Sequence, residues 1–128
     1  MIYLDSSIVL AELLVEDRRP PATLWDELSV SSALLRYEVW SRINARGLAS
    51  LRGDDVHLLL SRIALFDLRA DILERALHLF PVPVRTLDSL HLATVDYLRS
   101  QGRHIVLASY DLRLLAAAES LGIEAAPI

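Results

Sequence analysis

The chain has 128 residues, 53% of them hydrophobic, and a formal net charge of −4 at pH 7. It has no cysteine, which excludes disulfide bonds, thiolate nucleophiles and cysteine-based metal sites. The length predicts a single domain, residues 1–128. Asp5 interrupts the apolar N-terminal segment, and no apolar run approaches the roughly 20 residues of a membrane-spanning helix. We therefore expect neither a signal peptide nor a membrane segment, and a cytoplasmic protein.

Short apolar segments alternate with segments of helical periodicity. In chain order the sequence predicts a strand at 2–4, a helix capped by Ser6 or Ser7 and reaching Val15, a short helix at 22–27, a strand at 28–31 and a helix at 33–46. Gly53 and Asp54 are predicted to open a helix that runs to about residue 62, before a strand at 64–68 and helices at 70–80 and 86–100. The last predicted elements are a strand at 105–108, a helix at 111–121 and an edge strand at 123–126. This alternation predicts a parallel sheet covered by helices on both faces.

Acidic residues follow two of the predicted strands. Asp5 comes directly after the first strand, and Asp111 follows the fourth. Ligands of open parallel sheets bind beyond the carboxyl ends of the strands, where the strand order reverses. If the first and fourth strands are neighbours at that reversal, Asp5 and Asp111 face one crevice.

Two further acids lie in predicted helices. Asp88 is in the first turn of helix 86–100, where the helix dipole stabilises a carboxylate. Glu38 lies inside helix 33–46 close to Leu34 and Leu35, and a carboxylate in such apolar surroundings is costly unless it meets a cation. Each acid also has a purely structural interpretation, since the strand-end acids can be caps and Asp88 can simply serve the dipole.

Four converging carboxylates would repel one another unless a cation lies among them. Mg²⁺ and Mn²⁺ prefer oxygen ligands and keep several waters. Such an ion polarises a phosphodiester and activates a water molecule for attack. The four acids together therefore predict metal-dependent hydrolysis without a cysteine, serine or histidine nucleophile.

Four segments of the chain carry a family resemblance. They are Ile2-Tyr3-Leu4-Asp5-Ser6-Ser7, Arg36-Tyr37-Glu38-Val39, Thr86-Leu87-Asp88-Ser89-Leu90-His91-Leu92-Ala93-Thr94 and Ser109-Tyr110-Asp111-Leu112-Arg113-Leu114. In this order they resemble the PIN-domain family, and within it the VapC-type toxins of bacterial toxin–antitoxin pairs. The resemblance implies an α/β fold, a three-layer α/β/α sandwich with a five-stranded parallel sheet of order 3-2-1-4-5. That order makes the first and fourth strands neighbours.

The resemblance also implies a Mg²⁺- or Mn²⁺-dependent endoribonuclease with four acidic site residues. Asp5 and Asp88 look like direct metal ligands. Glu38 would hold the ion or the attacking water, and Asp111 would bind the ion directly or through water. A homodimer and a cognate antitoxin protein, whose tail covers the active-site groove, are implied as partners of this toxin class.

Smaller side chains beside the acids are given supporting roles. Ser109 resembles the hydroxyl that supports the last acid of the family, and Ser6 is expected to do the same for Asp5, which leaves Ser7 as a helix cap. We interpret His91, three residues after Asp88, as a packed or surface histidine of the helix rather than a metal ligand.

The basic residues indicate how an acidic chain could still bind RNA. All thirteen are arginine, whose guanidinium matches phosphate geometry better than an ammonium group does. Those that flank the acids, and would form a local basic rim, are Arg36, Arg42, Arg46, Arg85 and Arg113.

Three other interpretations of the sequence stay open. A PIN nuclease of RNA processing, outside any toxin–antitoxin pair, would show the same residues. A phosphatase with an aspartyl nucleophile normally has a second acid two residues later, where this chain has Ser7. A non-catalytic interaction domain would keep the fold but would not need all four acids.

Overall fold

The structure is a computed structural model that describes residues 1–128. Its strands are β1 (Ile2–Leu4), β2 (Ser29–Ser32), β3 (Ala64–Phe66), β4 (Val106–Ala108) and β5 (Glu124–Ala125). Its α-helices are α1 (Ser6–Leu13), α2 (Leu34–Ala45), α3 (Ala49–Leu60), α4 (Ala70–Leu77), α5 (Thr86–Ser100) and α6 (Leu112–Ser120). A short 3₁₀ helix, Ala22–Asp26, precedes β2.

The five strands form one parallel sheet of order β3-β2-β1-β4-β5, which confirms the predicted order. In the central strand, Ile2 pairs with Ser29 of β2 on one side and with Val106 of β4 on the other. The chain runs outward from β1 to β3 and then returns to build β4 and β5 on the opposite edge. The strand order therefore reverses between β1 and β4, and a crevice opens beyond their carboxyl ends.

The core lies on both faces of the sheet because the side chains of a strand alternate in direction. Leu4 of β1 packs with the buried apolar residues of α1, α2 and α3. Tyr3, its neighbour, packs with those of α5 and α6 on the other face. This arrangement confirms the predicted three-layer α/β/α sandwich.

Several predicted helix boundaries were wrong. Helix α4 ends at Leu77 rather than at residue 80. Helix α3 begins at Ala49, so Gly53 lies inside it rather than at its start. Gly53 is positioned against the indole ring of Trp40 in α2, where an added Cβ would lie 3.6 Å from a ring carbon. Helix α1 ends at Leu13 instead of reaching Val15, whose φ of 50° is incompatible with a right-handed helix. None of the helices has the length and apolarity required to cross a lipid bilayer.

Candidate active site

A cleft of about 520 Å³ lies at the reversal between β1 and β4. All four acids singled out from the sequence line it, namely Asp5, Glu38, Asp88 and Asp111. The order of the strands explains the convergence, since β1 and β4 deliver Asp5 and Asp111 to the same edge of the sheet. Helices α2 and α5 supply Glu38 and Asp88 from opposite faces of the sheet.

Asp5 is held by two hydroxyl groups. Its Oδ2 accepts hydrogen bonds from Ser7 Oγ at 2.7 Å and from Ser109 Oγ at 2.8 Å. The same oxygen accepts the backbone N–H of Ser7 at 3.4 Å, which makes Asp5 the N-cap of α1. No hydrogen bond reaches Oδ1 of Asp5.

The assignment of the supporting serine was wrong. Ser6 lines the cleft but makes no hydrogen bond to Asp5, and Ser7, expected to be only a helix cap, takes that place. The reason is the geometry of a capped helix start, in which the side chain of the capping residue reaches residues further along the first turn. Ser109 contacts both strand-end acids, because its hydroxyl oxygen also accepts the backbone N–H of Asp111 at 2.9 Å.

Asp111 has no free carboxylate oxygen. It is the N-cap of α6, and its Oδ1 accepts the backbone N–H groups of Arg113 and Leu114 at 3.0 and 3.3 Å. Its Oδ2 accepts a hydrogen bond from the guanidinium of Arg85. The structural interpretation of Asp111 as a cap is therefore correct.

Arg85 joins two of the four acids. Besides its bond to Asp111, its Nε donates a hydrogen bond of 2.7 Å to Oδ2 of Asp88. The hydrogen bonds to Asp111 and Asp88 raise the pKa of Arg85. Burial raises the pKa of Asp88 and outweighs the opposing effect of Arg85. Burial also acts to raise the pKa of Asp111, but the hydrogen bonds from Arg85 and from the backbone of α6 bring it below its ordinary value.

Glu38 is bonded to a histidine. Its Oε1 lies 2.5 Å from Nε2 of His91, which is only 1% exposed. The second ring nitrogen of His91, Nδ1, lies 2.7 Å from the hydroxyl of Tyr3 in β1. Burial lowers the pKa of His91, but Tyr3 and Glu38 more than offset this and raise it to about 10. His91 is thus a packed histidine, as interpreted, with a polar partner at each nitrogen.

The donor set of the cleft fits Mg²⁺ or Mn²⁺ chemically. Three carboxylates each keep one oxygen without a hydrogen bond, namely Oδ1 of Asp5, Oδ1 of Asp88 and Oε2 of Glu38. Oxygen-only donors are those that hard divalent cations prefer. As the side chains stand, no three acidic or histidine groups lie close enough to enclose one ion. Arg85 instead provides the positive charge between Asp88 and Asp111.

Only part of the predicted basic rim lines the cleft. Arg42, Arg46 and Arg85 do, whereas Arg36 and Arg113 do not. Arg42 lies in the last turn of α2 and Arg46 is its C-cap, so the two continue the line that begins at Glu38 at intervals of four residues. Both are exposed, and neither forms an ion pair with an acidic residue.

Three contributors to the site were not identified as such from the sequence: Ser7, Tyr3 and His91. A signal for two of them existed. Tyr3 stands two residues before Asp5, on the same face of a strand, and His91 stands three residues after Asp88, on the same side of a helix. What the sequence did not show is that His91 would contact Glu38, which comes from a different helix, and that Tyr3 would contact His91.

Comparison with known proteins agrees with this fold. The sequence pattern of the PIN domain matches residues 2–120. Ribonuclease VapC46 of Mycobacterium tuberculosis (strain ATCC 25618 / H37Rv) is 32% identical over 126 residues, which cover 95% of this chain and 93% of that protein. Ribonuclease VapC35 of Mycobacterium tuberculosis (strain CDC 1551 / Oshkosh) is 33% identical over 129 residues, covering 96% of this chain and 93% of that protein.

The chain therefore belongs to the PIN-domain family. These relatives are named VapC, and the similarity extends over nearly their whole length. It confirms the VapC-type resemblance found in the four sequence segments.

Proposed function

We propose that the chain is a Mg²⁺- or Mn²⁺-dependent endoribonuclease that hydrolyses RNA phosphodiesters and acts as the toxin of a toxin–antitoxin pair. The observation that carries this proposal is the convergence of Asp5, Glu38, Asp88 and Asp111 in one cleft of a PIN-domain chain. The VapC relatives named as ribonucleases support the choice of RNA as substrate.

Asp5, Asp88 and Glu38 would hold the metal, since each offers a carboxylate oxygen that has no other partner. The bound ion would supply the Lewis acidity that polarises the phosphodiester and lowers the pKa of the attacking water. The chain's own residues then have to keep these oxygens in place. Ser7 and Ser109 do so for Asp5 by occupying its other oxygen.

RNA would be held by the arginines that line the cleft. Arg42 and Arg46 are free to contact phosphates, and they lie about 6 Å apart along the axis of α2, in its last turn and at its C-cap. They provide local positive charge on a protein whose net charge is −4. Arg85 would contact RNA only after releasing Asp88 and Asp111.

A second copy of the chain and an antitoxin are the proposed protein partners. A groove of about 940 Å³ between α4 and α5 is lined mainly by apolar side chains. On its α4 side, Leu77 and Leu79 are 80% and 96% exposed beside the other apolar side chains of the groove, and a contiguous apolar patch is typical of an interaction surface. We assign this groove to the homodimer contact and the acidic cleft to the antitoxin tail. Leu77→Asp combined with Leu79→Asp should give a monomer in analytical ultracentrifugation, while the same change at exposed Leu51 should not alter the mass.

The activity is tested with purified protein, Mn²⁺ or Mg²⁺, and a labelled RNA. Wild-type protein should cleave the RNA, EDTA should stop it, and Asp5→Ala and Asp88→Ala should each abolish cleavage. Asp96→Ala is the matched control, because Asp96 lies on the same helix as Asp88 but pairs with Arg75 outside the cleft. Undiminished cleavage by both site variants would contradict the assignment.

Calorimetry with Mn²⁺ separates the nuclease from a non-catalytic interaction domain. A nuclease should bind Mn²⁺ and lose that binding in Asp5→Ala. A domain that serves only as a binding partner does not need the ion. Induction of the protein with and without its candidate antitoxin then tests the toxin role, since growth should stop only without the antitoxin.

A further inference from the structure

A line of hydrogen-bonded side chains runs from the centre of the sheet to the acidic cleft. It starts at the backbone N–H of Ser32, which donates to the hydroxyl oxygen of Tyr3 at 3.2 Å. Tyr3 lies 2.7 Å from Nδ1 of His91, and Nε2 of His91 donates to Oε1 of Glu38 at 2.5 Å. The line thus links β2, β1, α5 and α2.

The two middle members of this line cannot reach the substrate. Tyr3 is 0% exposed and His91 is 1% exposed. Both nitrogens of His91 are engaged, so the ring has no lone pair left for a metal ion. The rings of Tyr3 and His91 also pack edge to face, with centroids 5.7 Å apart and an angle of 81° between their planes. Any effect of this pair on chemistry must therefore pass through Glu38.

We propose that Tyr3 and His91 are positioning residues, which fix the carboxylate of Glu38 so that its second oxygen faces the cleft. This inference rests on the ribonuclease activity proposed above.

The physical reason is the freedom of a glutamate side chain. Glu38 reaches the cleft over three rotatable bonds, and ordering such a side chain costs conformational entropy. The bond from His91 to Oε1 selects one orientation and leaves Oε2 without a hydrogen bond. A rigid, buried donor is what outer partners of metal-binding carboxylates generally provide.

The placement of the pair in the chain adds a second argument. Tyr3 stands two residues before Asp5, and His91 stands three residues after Asp88. The line therefore ties the acid of α2 directly to the two elements that carry the other metal-binding candidates. Helix α2 packs on the opposite face of the sheet from α5. Without this line of hydrogen bonds, the position of the Glu38 carboxylate would therefore not depend on the position of Asp88.

The experiment compares two substitutions of His91 in the full-length protein. His91→Leu removes both nitrogens, whereas His91→Gln keeps an N–H group near the position of Nε2. We expect His91→Leu to lower kcat by about 10- to 100-fold with little change in KM, and His91→Gln to recover most of the loss. His104→Leu, at an exposed histidine outside the cleft, should behave as wild type.

A double-mutant cycle shows whether His91 acts through Glu38. In a Glu38→Gln background, His91→Leu should cause no further loss of kcat. Calorimetry gives a readout that does not depend on turnover. His91→Leu should raise the dissociation constant for Mn²⁺, as Glu38→Gln does. The double variant should raise it no further than Glu38→Gln alone. Thermal unfolding of each protein, recorded in EDTA, shows that the variants are folded.

Tyr3→Phe covers the case in which His91→Leu does not fold, because it removes a single hydroxyl. We expect kcat to fall by about three- to tenfold, the effect of one hydrogen bond, and this fall to vanish in the Glu38→Gln background. Full activity of His91→Leu would overturn the inference. So would losses of kcat in His91→Leu or Tyr3→Phe that are as large in the Glu38→Gln background as in the wild type. Absence of Mn²⁺-dependent cleavage by the wild type would instead overturn the proposed function on which it rests.

Discussion

The hydroxyl of Ser109, at the end of β4, donates a hydrogen bond of 2.8 Å to the carboxylate of Asp5, at the end of β1. The two residues are 104 positions apart in the sequence. Their contact exists because β1 and β4 are neighbours in the sheet, with Leu4 paired to Ala108. The bond fixes one oxygen of Asp5 and turns the other toward the cleft.

Loss of the Ser109 hydroxyl should therefore impair the site more than the fold. For Ser109→Ala we expect cleavage to fall by about 10- to 100-fold and the free energy of unfolding to fall by about 1 kcal/mol. Initial rates and urea unfolding measure the two effects. Ser100→Ala is the control, because Ser100 donates only to a carbonyl of its own helix. Equal rates for the two variants would show that Ser109 does not support Asp5 functionally.

Removal of Arg85 should strengthen metal binding. Arg85 pairs with Asp88 and Asp111, so an entering divalent ion has to compete with its positive charge. For Arg85→Gln we expect a dissociation constant for Mn²⁺ about three- to tenfold lower, since partly exposed ion pairs are modest in strength. Calorimetric titration measures this constant. Arg69→Gln, which breaks an exposed pair with Asp71, should leave it unchanged. Weaker Mn²⁺ binding by Arg85→Gln would mean that Arg85 helps to hold the ion.

Metal-free protein should lose stability as the pH rises above neutrality. The pKa of His91 is raised to about 10 in the folded protein, against an ordinary value of 6.5. Between these values the native state binds one more proton than the unfolded chain, so the free energy of unfolding falls by at most about 1.4 kcal/mol per pH unit. The contribution is fully present below pH 6.5 and is lost as the pH passes 10.

Urea unfolding in EDTA between pH 6 and pH 10 measures this slope. The chain has neither cysteine nor lysine, so the side-chain types with ordinary pKa values in or near this range are histidine and tyrosine. His91→Gln should flatten the profile, and His104→Gln should retain it. A His91→Gln profile as steep as that of the wild type would assign the slope to another group.

Arg42 and Arg46 should contribute to RNA affinity through phosphates. Each phosphate contact to single-stranded RNA contributes about 0.7 to the slope of log K against log salt. Arg42→Gln and Arg46→Gln, made in a cleavage-deficient Asp5→Asn background, should each reduce the slope by about that amount. Fluorescence anisotropy with a labelled RNA at several salt concentrations gives the slope. Arg103→Gln, at an exposed arginine that forms no ion pair, should leave it unaltered.

The alternation of strands and helices was predictable from local patterns, but the order of the strands was not. Hydrophobic period and helix stops indicate where elements lie, as the confirmed bounds of α5 show. The pairing of Ile2 with Val106 depends on which edges meet after the chain folds back, and the strand order was taken from the family resemblance. The start of α3 was misplaced because Gly53 was interpreted as the residue that opens the helix, whereas it lies inside α3 and packs against Trp40.

The acids of the site were easier to predict than the residues that hold them. Asp5 and Asp111 follow strands, and the ends of parallel strands meet at one edge of a sheet. The choice of Ser7 over Ser6 depends on the direction of side chains in the first turn of α1. The contact of His91 with Glu38 depends on the packing of two helices, which the periodicity of either helix alone does not determine.

The position of β1 also sets the order in which the site is completed during protein synthesis. Asp5 and Glu38 leave the ribosome early, while Ser109 and Asp111 follow 104 or more residues after Asp5, a delay of roughly 5–20 seconds at the usual rates of elongation. Until β4 is made, one edge of the central strand has no partner, and the acidic cleft lacks the residues that follow β4. A nascent chain therefore carries only part of the acidic cleft, and the complete set of four acids is present only when translation is almost finished.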